Sequence, residues 1–139
     1  MKALLDTCVF MDQIFARQPF CNDANKIVSL AILGKLELSV LPMSFATCYY
    51  VGLRNKIPAA DILSAFDRIL PYLTIVQTSR VALQRAISSG WKDFEDSIQH
   101  FSAVDAMADC IVTRNKKDFT DAQIPVFTPA EFLQQAGVR

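Results

Sequence analysis

Three aspartates stand where a parallel sheet could gather them. Asp6 directly follows the apolar run Lys2-Ala3-Leu4-Leu5, and Asp96 falls in the first turn of a helix opening at Asp93. Asp118 lies on a loop five residues past Thr113, with Asn115 between. Carboxylates brought together repel, and their joint ionisation is costly without a cation among them. Mg²⁺ and Mn²⁺ favour hard oxygen ligands, and either ion can lower the pKa of a bound water and neutralise a phosphodiester under attack. Each acid also has a plainer reading. Asp6 can cap the helix that follows it, worth about 1 kcal/mol. Asp93 and Asp96 can form a capping pair favoured by the helix dipole, and Asp118, beside Lys117, can be a solvated loop charge.

The elements that would position these acids alternate along the chain. Lys2 to Leu5 reads as a buried strand. Asn22 or Asp23 can cap a helix running to about Leu33, with Gly34 as its stop. Leu36 to Leu41 is a strand candidate closed by Pro42, and Ser44 to Arg54 a helix. Pro58 opens another helix, whose apolar stripe is Ile62, Leu63, Phe66, Ile69 and Leu70. Leu73 to Val76 is β-branched and strand-like. Helices follow over Val81–Ser88 and from Asp93 to about Met107, then strands at Cys110–Thr113 and Val126–Phe127. Thr128 and Pro129 cap and open the last helix. Such alternation predicts an α/β fold with a parallel sheet covered on both faces, and ligands bind beyond the carboxyl ends of such strands.

At 139 residues the chain fits one domain, 1–139, and 52% hydrophobic content supplies its core. No apolar run approaches the roughly 20 residues of a membrane span, and Asp6 interrupts the start too early for a signal peptide. A cytoplasmic protein without membrane contact is expected. Cys8, Cys21, Cys48 and Cys110 lack zinc-knuckle spacing and read as reduced core thiols. His100 is the only histidine, so a Ser-His-Asp machine would depend on it alone. Lys plus Arg, 14, balance Asp plus Glu, 14. A general nucleic-acid binder usually carries a basic excess, so any nucleic acid must be gripped by a local patch, a metal or a second subunit.

Four blocks resemble the PIN domain family. Leu4-Leu5-Asp6-Thr7-Cys8-Val9 is similar to its opening strand with Asp-Thr/Ser-x-Val/Ile, and Asp93-Phe94-Glu95-Asp96-Ser97-Ile98-Gln99 to its central acidic helix start. Cys110 to Phe119 resembles its strand-Thr-Arg-Asn/Asp-x-x-Asp-Phe signature, and Pro125 to Leu133 its usual ending. The blocks come in order and span nearly the whole chain.

The resemblance implies a PIN-like three-layer α/β/α fold with a central, mainly parallel sheet, and an endoribonuclease that uses Mg²⁺ or Mn²⁺. It is closest in kind to VapC-type toxins of type II toxin–antitoxin pairs, often homodimers with an antitoxin partner and an RNA substrate. By match, Asp6 and Asp96 are catalytic and metal-binding, with Asn115 and Asp118 in the last acidic region. The family commonly carries a Glu on the helix after the second strand, where Thr47 stands here, and Asn115 replaces a frequent Asp. The site is then poorer in charge, and Asp93 or Glu95 could supply part of the difference. The alternative is a catalytically degenerate PIN domain that binds RNA or protein.

Further residues carry smaller expectations. Arg114, Lys116 and Lys117 could hold phosphates, or be solvated. Thr7 could offer a hydroxyl near the metal, Trp91 is expected to pack half-buried, and Asp12 reads as a surface charge. Leu63 and its neighbours could serve a dimer.

Overall fold

In a computed structural model of the chain, residues 1–138 are described, so the expected span 1–139 runs one residue beyond them. Five strands, β1 (Lys2–Leu5), β2 (Glu37–Val40), β3 (Thr74–Ile75), β4 (Cys110–Val112) and β5 (Val126–Phe127), form one sheet in the order β3-β2-β1-β4-β5. Every pairing is parallel, with Leu4 opposite both Ser39 and Ile111. The expected α/β architecture is the observed one. β1 lies at the centre, with β2 on one side and β4 on the other, so Asp6 leaves the middle of the sheet at its carboxyl edge.

Among the described residues seven α-helices cover the sheet: α1 (Thr7–Ile14), α2 (Cys21–Ile32), α3 (Pro42–Arg54), α4 (Ala59–Ile69), α5 (Arg80–Ser88), α6 (Phe94–Asp105) and α7 (Pro129–Gln135). The period-two alternation of a strand assigns its residues to two cores. Ala3 and Leu5 of β1 face a core shared with Val9, Phe10, Ile27, Cys48 and Phe132, while Leu4 faces the opposite core with Ala103, Ile111 and Phe119. These are the three layers. Within the first core Phe10, Phe45 and Phe66 stack on one another, with centroids 4.8–6.0 Å apart. At 25–30 cal/mol per Å² of apolar surface, such aromatics dominate burial energetics.

Three helix starts follow the sequence closely. Thr128 accepts the Glu131 N–H and Glu131 returns the bond to Thr128, a complete capping box. Asp93 caps α6, and Ser79 caps α5. The start of α2 departs from expectation: it begins at Cys21, neither Asn22 nor Asp23 caps it, and Asp23 sits inside its first turn. Helix α4 buries Ile62 and Ile69 but leaves Leu63 exposed, as is Leu70 just past its end. Its tight seat on α3 depends on Gly52, where an added Cβ would come within 2.5 Å of the Ile62 Cδ1. Among the described residues no helix is long and apolar enough to cross a membrane.

Candidate metal centre

Asp6 is the first residue beyond β1 and the backbone N-cap of α1, yet its side chain makes no cap bond. The plain capping reading fails because better donors converge on it from two other elements. Gln99 of α6 donates Nε2–H to Oδ1 at 2.7 Å, and Thr113, just past β4, donates its hydroxyl to Oδ2 at 2.6 Å. The Cys8 thiol adds a third bond to Oδ2 at 3.2 Å. Gln99 also accepts the Thr7 N–H, and Thr113 accepts the Asn115 N–H, so each donor is itself held. Asp6 is thus buried and fixed by neutral groups alone. Burial, then the Asp6 charge, push the Cys8 thiol up to about 12. Cys8 is therefore a hydrogen-bond donor at the site and not the wholly buried core thiol expected; Cys21, Cys48 and Cys110 are buried, and all four are free.

Asp96 occupies the first turn of α6, one helical step from Gln99, so the two share a face. It is only 8% exposed, and among the described residues its carboxyl accepts no hydrogen bond. Burial raises it first, and the charges of Asp6, Asp93, Asp118 and Glu95 raise it further, to about 8. Glu95 stands half-buried beside it and accepts the Thr7 hydroxyl at 3.1 Å; burial lifts its carboxyl above the usual range, and Asp6 and Asp93 add to the lift. Asp118, exposed in the 3-10 turn Lys116–Phe119, joins the cluster through its charge on Asp96.

The expectation that Asp6, Asp96 and Asp118 meet as a ready-made cage needs correction. Among the described residues no three His, Cys, Asp or Glu side chains form a group able to hold a metal ion. Asp6 is committed to its three donors, and Asp118 stays on the exposed rim. The donor chemistry still suits Mg²⁺ or Mn²⁺: every nearby acid offers hard oxygen, and Mg²⁺ ordinarily uses one or two carboxylates and keeps several waters. A buried, unpartnered Asp96 crowded by like charges is the feature a cation would relieve.

The other nominated residues divide. Thr7 is inside the network, its hydroxyl 2.7 Å from that of Ser44 at the start of α3. Thr47 is half-buried one turn further on and makes no side-chain hydrogen bond among the described residues; Ser44 reaches the site instead. Asp93 serves as N-cap, accepting the Asp96 N–H at 3.0 Å. Asn115 is exposed; its backbone N–H bonds the Thr113 hydroxyl and its carbonyl accepts the Asp118 N–H, while among the described residues its side chain makes no hydrogen bond. Arg114 turns away from a phosphate role: it clasps Asp12 with two bonds of 2.6 and 3.1 Å and lies 3.9 Å over the Phe20 ring. Asp12 is fully buried, not the surface charge expected, because Arg114 compensates it. Lys116 pairs with Glu131 on the surface.

Beside the acids runs a groove of about 610 Å³ lined by Trp91, Lys92, Asp93, Lys117 and Asp118. Trp91 packs half-buried against His100, Phe101 and Phe119, as expected of it. His100 is buried; its Nε2 accepts the Gln123 N–H at 2.9 Å, and burial holds its pKa below the usual imidazole value. Gln99, Thr113 and Ser44 are the site residues that sequence reasoning missed. Gln99 had one usable signal, its place three residues after Asp96 on the same helix face.

The comparisons with known proteins agree with the fold. The PIN domain family matches residues 2–117. Among solved structures, VapBC2 from Rickettsia felis, bound to a DNA fragment from their promoter, superposes with a TM-score of 0.67 at 17% identity, covering 91% of this chain and 97% of that one. FitAcB from Neisseria gonorrhoeae gives 0.61 at 20% identity, covering 92% and 98%. At such identities the likeness is one of fold. No curated protein matches significantly.

Proposed function

The chain belongs to the PIN domain family, and from that premise we propose that it is a Mg²⁺- or Mn²⁺-dependent endoribonuclease, the toxin of a toxin–antitoxin pair. The observation that carries this reading is the gathering of Asp6, Asp93, Asp118 and Glu95 around Asp96, where burial and then these like charges push its carboxyl up to about 8 and no protein group donates to it. A fold gains nothing from such a group unless a cation or proton offsets it. Asp6 and Asp96 would hold the cation, with Asp118 at its open side; bound there, it would acidify a coordinated water and neutralise the charge developing on a phosphodiester. Gln99 and Thr113 keep Asp6 in one orientation, which limits the rearrangement that binding requires. Lys92 and Lys117 stand among Asp93, Asp118 and Asp121 in the groove, so a bound cation would be needed there to offset the acids before an RNA strand could lie along it.

The whole chain, 1–139, acts as one PIN unit in the cytoplasm, where its RNA substrate is. An antitoxin is its partner; the support is the fold shared with VapBC2. Exposed Tyr50 and Leu53 on α3, with Leu63 on α4 and Leu70 just past its end, offer apolar surface for a homodimer. A second reading, a PIN domain that only binds RNA or protein, has its own support in Thr47 and in the lack of a ready-made cage. Cleavage of RNA by purified protein with Mn²⁺, compared with Asp6→Asn and Asp96→Asn, separates the two. Equal cleavage by all three would point to a contaminant, and no cleavage alongside Mn²⁺-independent RNA binding would favour the second reading.

A further inference from the structure

Trp91 is the only tryptophan of the chain, and other aromatic rings hold it in place. His100, fully buried, lies 4.9 Å from it at a tilt of 30°, and Phe119 meets it edge-on at 5.6 Å. The His100 Nε2 also accepts the Gln123 N–H, so the support of the ring is tied to the loop beyond Asp121. The Trp91 backbone N–H donates to the Ser89 hydroxyl at 3.3 Å, which fixes where the ring leaves the chain. What stays open of this residue lines the groove of about 610 Å³. That volume falls within the roughly 300–1,000 Å³ usual for ligand pockets. A buried indole ordinarily finds an acceptor for its N–H. Among the described residues the Trp91 indole N–H donates to no protein group and is not buried, so it stays available at the groove.

The charges of the groove decide which part of a nucleic acid suits it. Lys92 and Lys117 stand there against three acids, Asp93, Asp118 and Asp121. A phosphate is repelled by that balance. A neutral base is not, and its N–H groups can donate to the carboxylates while its ring stacks on an aromatic side chain. Asp93 both lines the groove and accepts the Asp96 N–H, so the groove opens directly beside the acids. We propose that it is a base subsite for single-stranded RNA, in which an unpaired base stacks on Trp91 while a neighbouring phosphate reaches Asp6 and Asp96. The proposal rests on the ribonuclease reading above and adds the strandedness of the substrate. Inside a duplex both faces of a base are taken by its neighbours, so only an unpaired base can offer one to the indole.

With a single tryptophan in the chain, its emission reports on this groove alone. Full-length protein is mixed with a short single-stranded RNA in Mn²⁺, and the emission is read by stopped flow before cleavage. Saturable quenching by the single strand is expected, with little from the same sequence as a duplex or from tripolyphosphate. In fluorescence anisotropy with labelled RNA, Trp91→Leu is expected to bind about 5- to 100-fold more weakly, and Trp91→Phe within a few-fold of wild type. Circular dichroism melts verify the fold of both variants, and the wild-type quenching decides if either fails to fold. RNA bound without quenching, or bound equally by Trp91→Leu, overturns the subsite and leaves the nuclease reading intact. Equal quenching by the duplex overturns the preference for single strands, and quenching by tripolyphosphate overturns a base subsite in favour of a phosphate one. Absence of both RNA binding and RNA cleavage removes the nuclease reading, and this proposal with it.

Discussion

Two buried carboxylate regions lie at the same edge of this sheet, and they are treated in opposite ways. Asp12 is fully buried and is answered from within the chain: Arg114 grips both its oxygens, Arg17 approaches to 3.8 Å, and Phe20 covers the guanidinium. Asp6 and Asp96 are nearly as buried, yet Asp6 receives only neutral donors and Asp96 none. The charges that act on Asp96 are those of Asp6, Asp93, Asp118 and Glu95, all of the same sign, while Arg114, engaged with Asp12, acts on Asp6 only through its charge. The contrast teaches that the fold pairs Asp12 with a cation of its own and gives Asp96 no such partner, which is what a site reserved for a ligand would show. A buried charge is retained at several kcal/mol of desolvation, so an unanswered one marks a place where something else is to bind.

The comparison can be broken at either pole. The largest effect is expected at the uncompensated one: Asp6→Asn or Asp96→Asn should reduce Mn²⁺-dependent RNA cleavage at least about 100-fold, a loss of charge where phosphodiester charge develops. Asp96→Asn should fold at least as well as wild type, since it removes a repulsion, whereas Asp6→Asn turns an amide N–H toward the donors that Asp6 accepts and should lower stability; a cleavage rate unchanged in both would end the distinction. At the compensated pole Asp12→Ala leaves Arg114 without its partner and should cost about 2–3 kcal/mol, read as a lower urea midpoint. The figure sits below the range for fully buried pairs because the Arg114 side chain is 26% exposed. A stability unchanged by Asp12→Ala would mean that the pair is ornamental.

Smaller effects sharpen the boundary between the regions. Gln99→Met keeps the volume but removes the bond to Asp6, and Mn²⁺ affinity in calorimetry should fall about 10-fold. The smallest expected effect is on the pH dependence of stability without metal, because several neighbouring acids share the titration. Asp96 titrates near 8 when folded against 3.8 ordinarily, so between those pH values the folded chain holds a proton that the unfolded chain has released. Its contribution to stability is therefore full below about pH 4 and is lost as the pH rises through about 8. Urea midpoints of wild type and Asp96→Asn should diverge in favour of the variant between pH 5 and pH 8, and parallel curves would count against the crowding of Asp96.

Much of the frame was legible in the residues. Local signals sufficed for β1, for the capping of α6 by Asp93 and for the Thr128–Glu131 box, because each is settled within a few positions of the chain. The acids Asp6 and Asp96 were also legible, since the alternation of strands and helices fixes which ends of the elements coincide. What escaped was pairing at long range. Asp12 read as a surface charge because nothing near it in sequence announces Arg114, 102 residues away. Gln99 and Thr113 were missed as partners of Asp6 for the same reason, at separations of 93 and 107 residues. Cys8 was read as a core thiol from its apolar flanks, whereas the turn into α1 directs its sulfur to Asp6.

The most direct test of the central claim is a calorimetric titration of the wild-type protein with Mn²⁺ at pH 7 in buffers of differing ionisation enthalpy. A cation entering beside an Asp96 that is still protonated at this pH must displace that proton, so saturable binding with release of about one proton is expected. Absence of saturable binding, or binding with no proton released, would contradict the claim that these uncompensated acids are held in wait for a divalent cation.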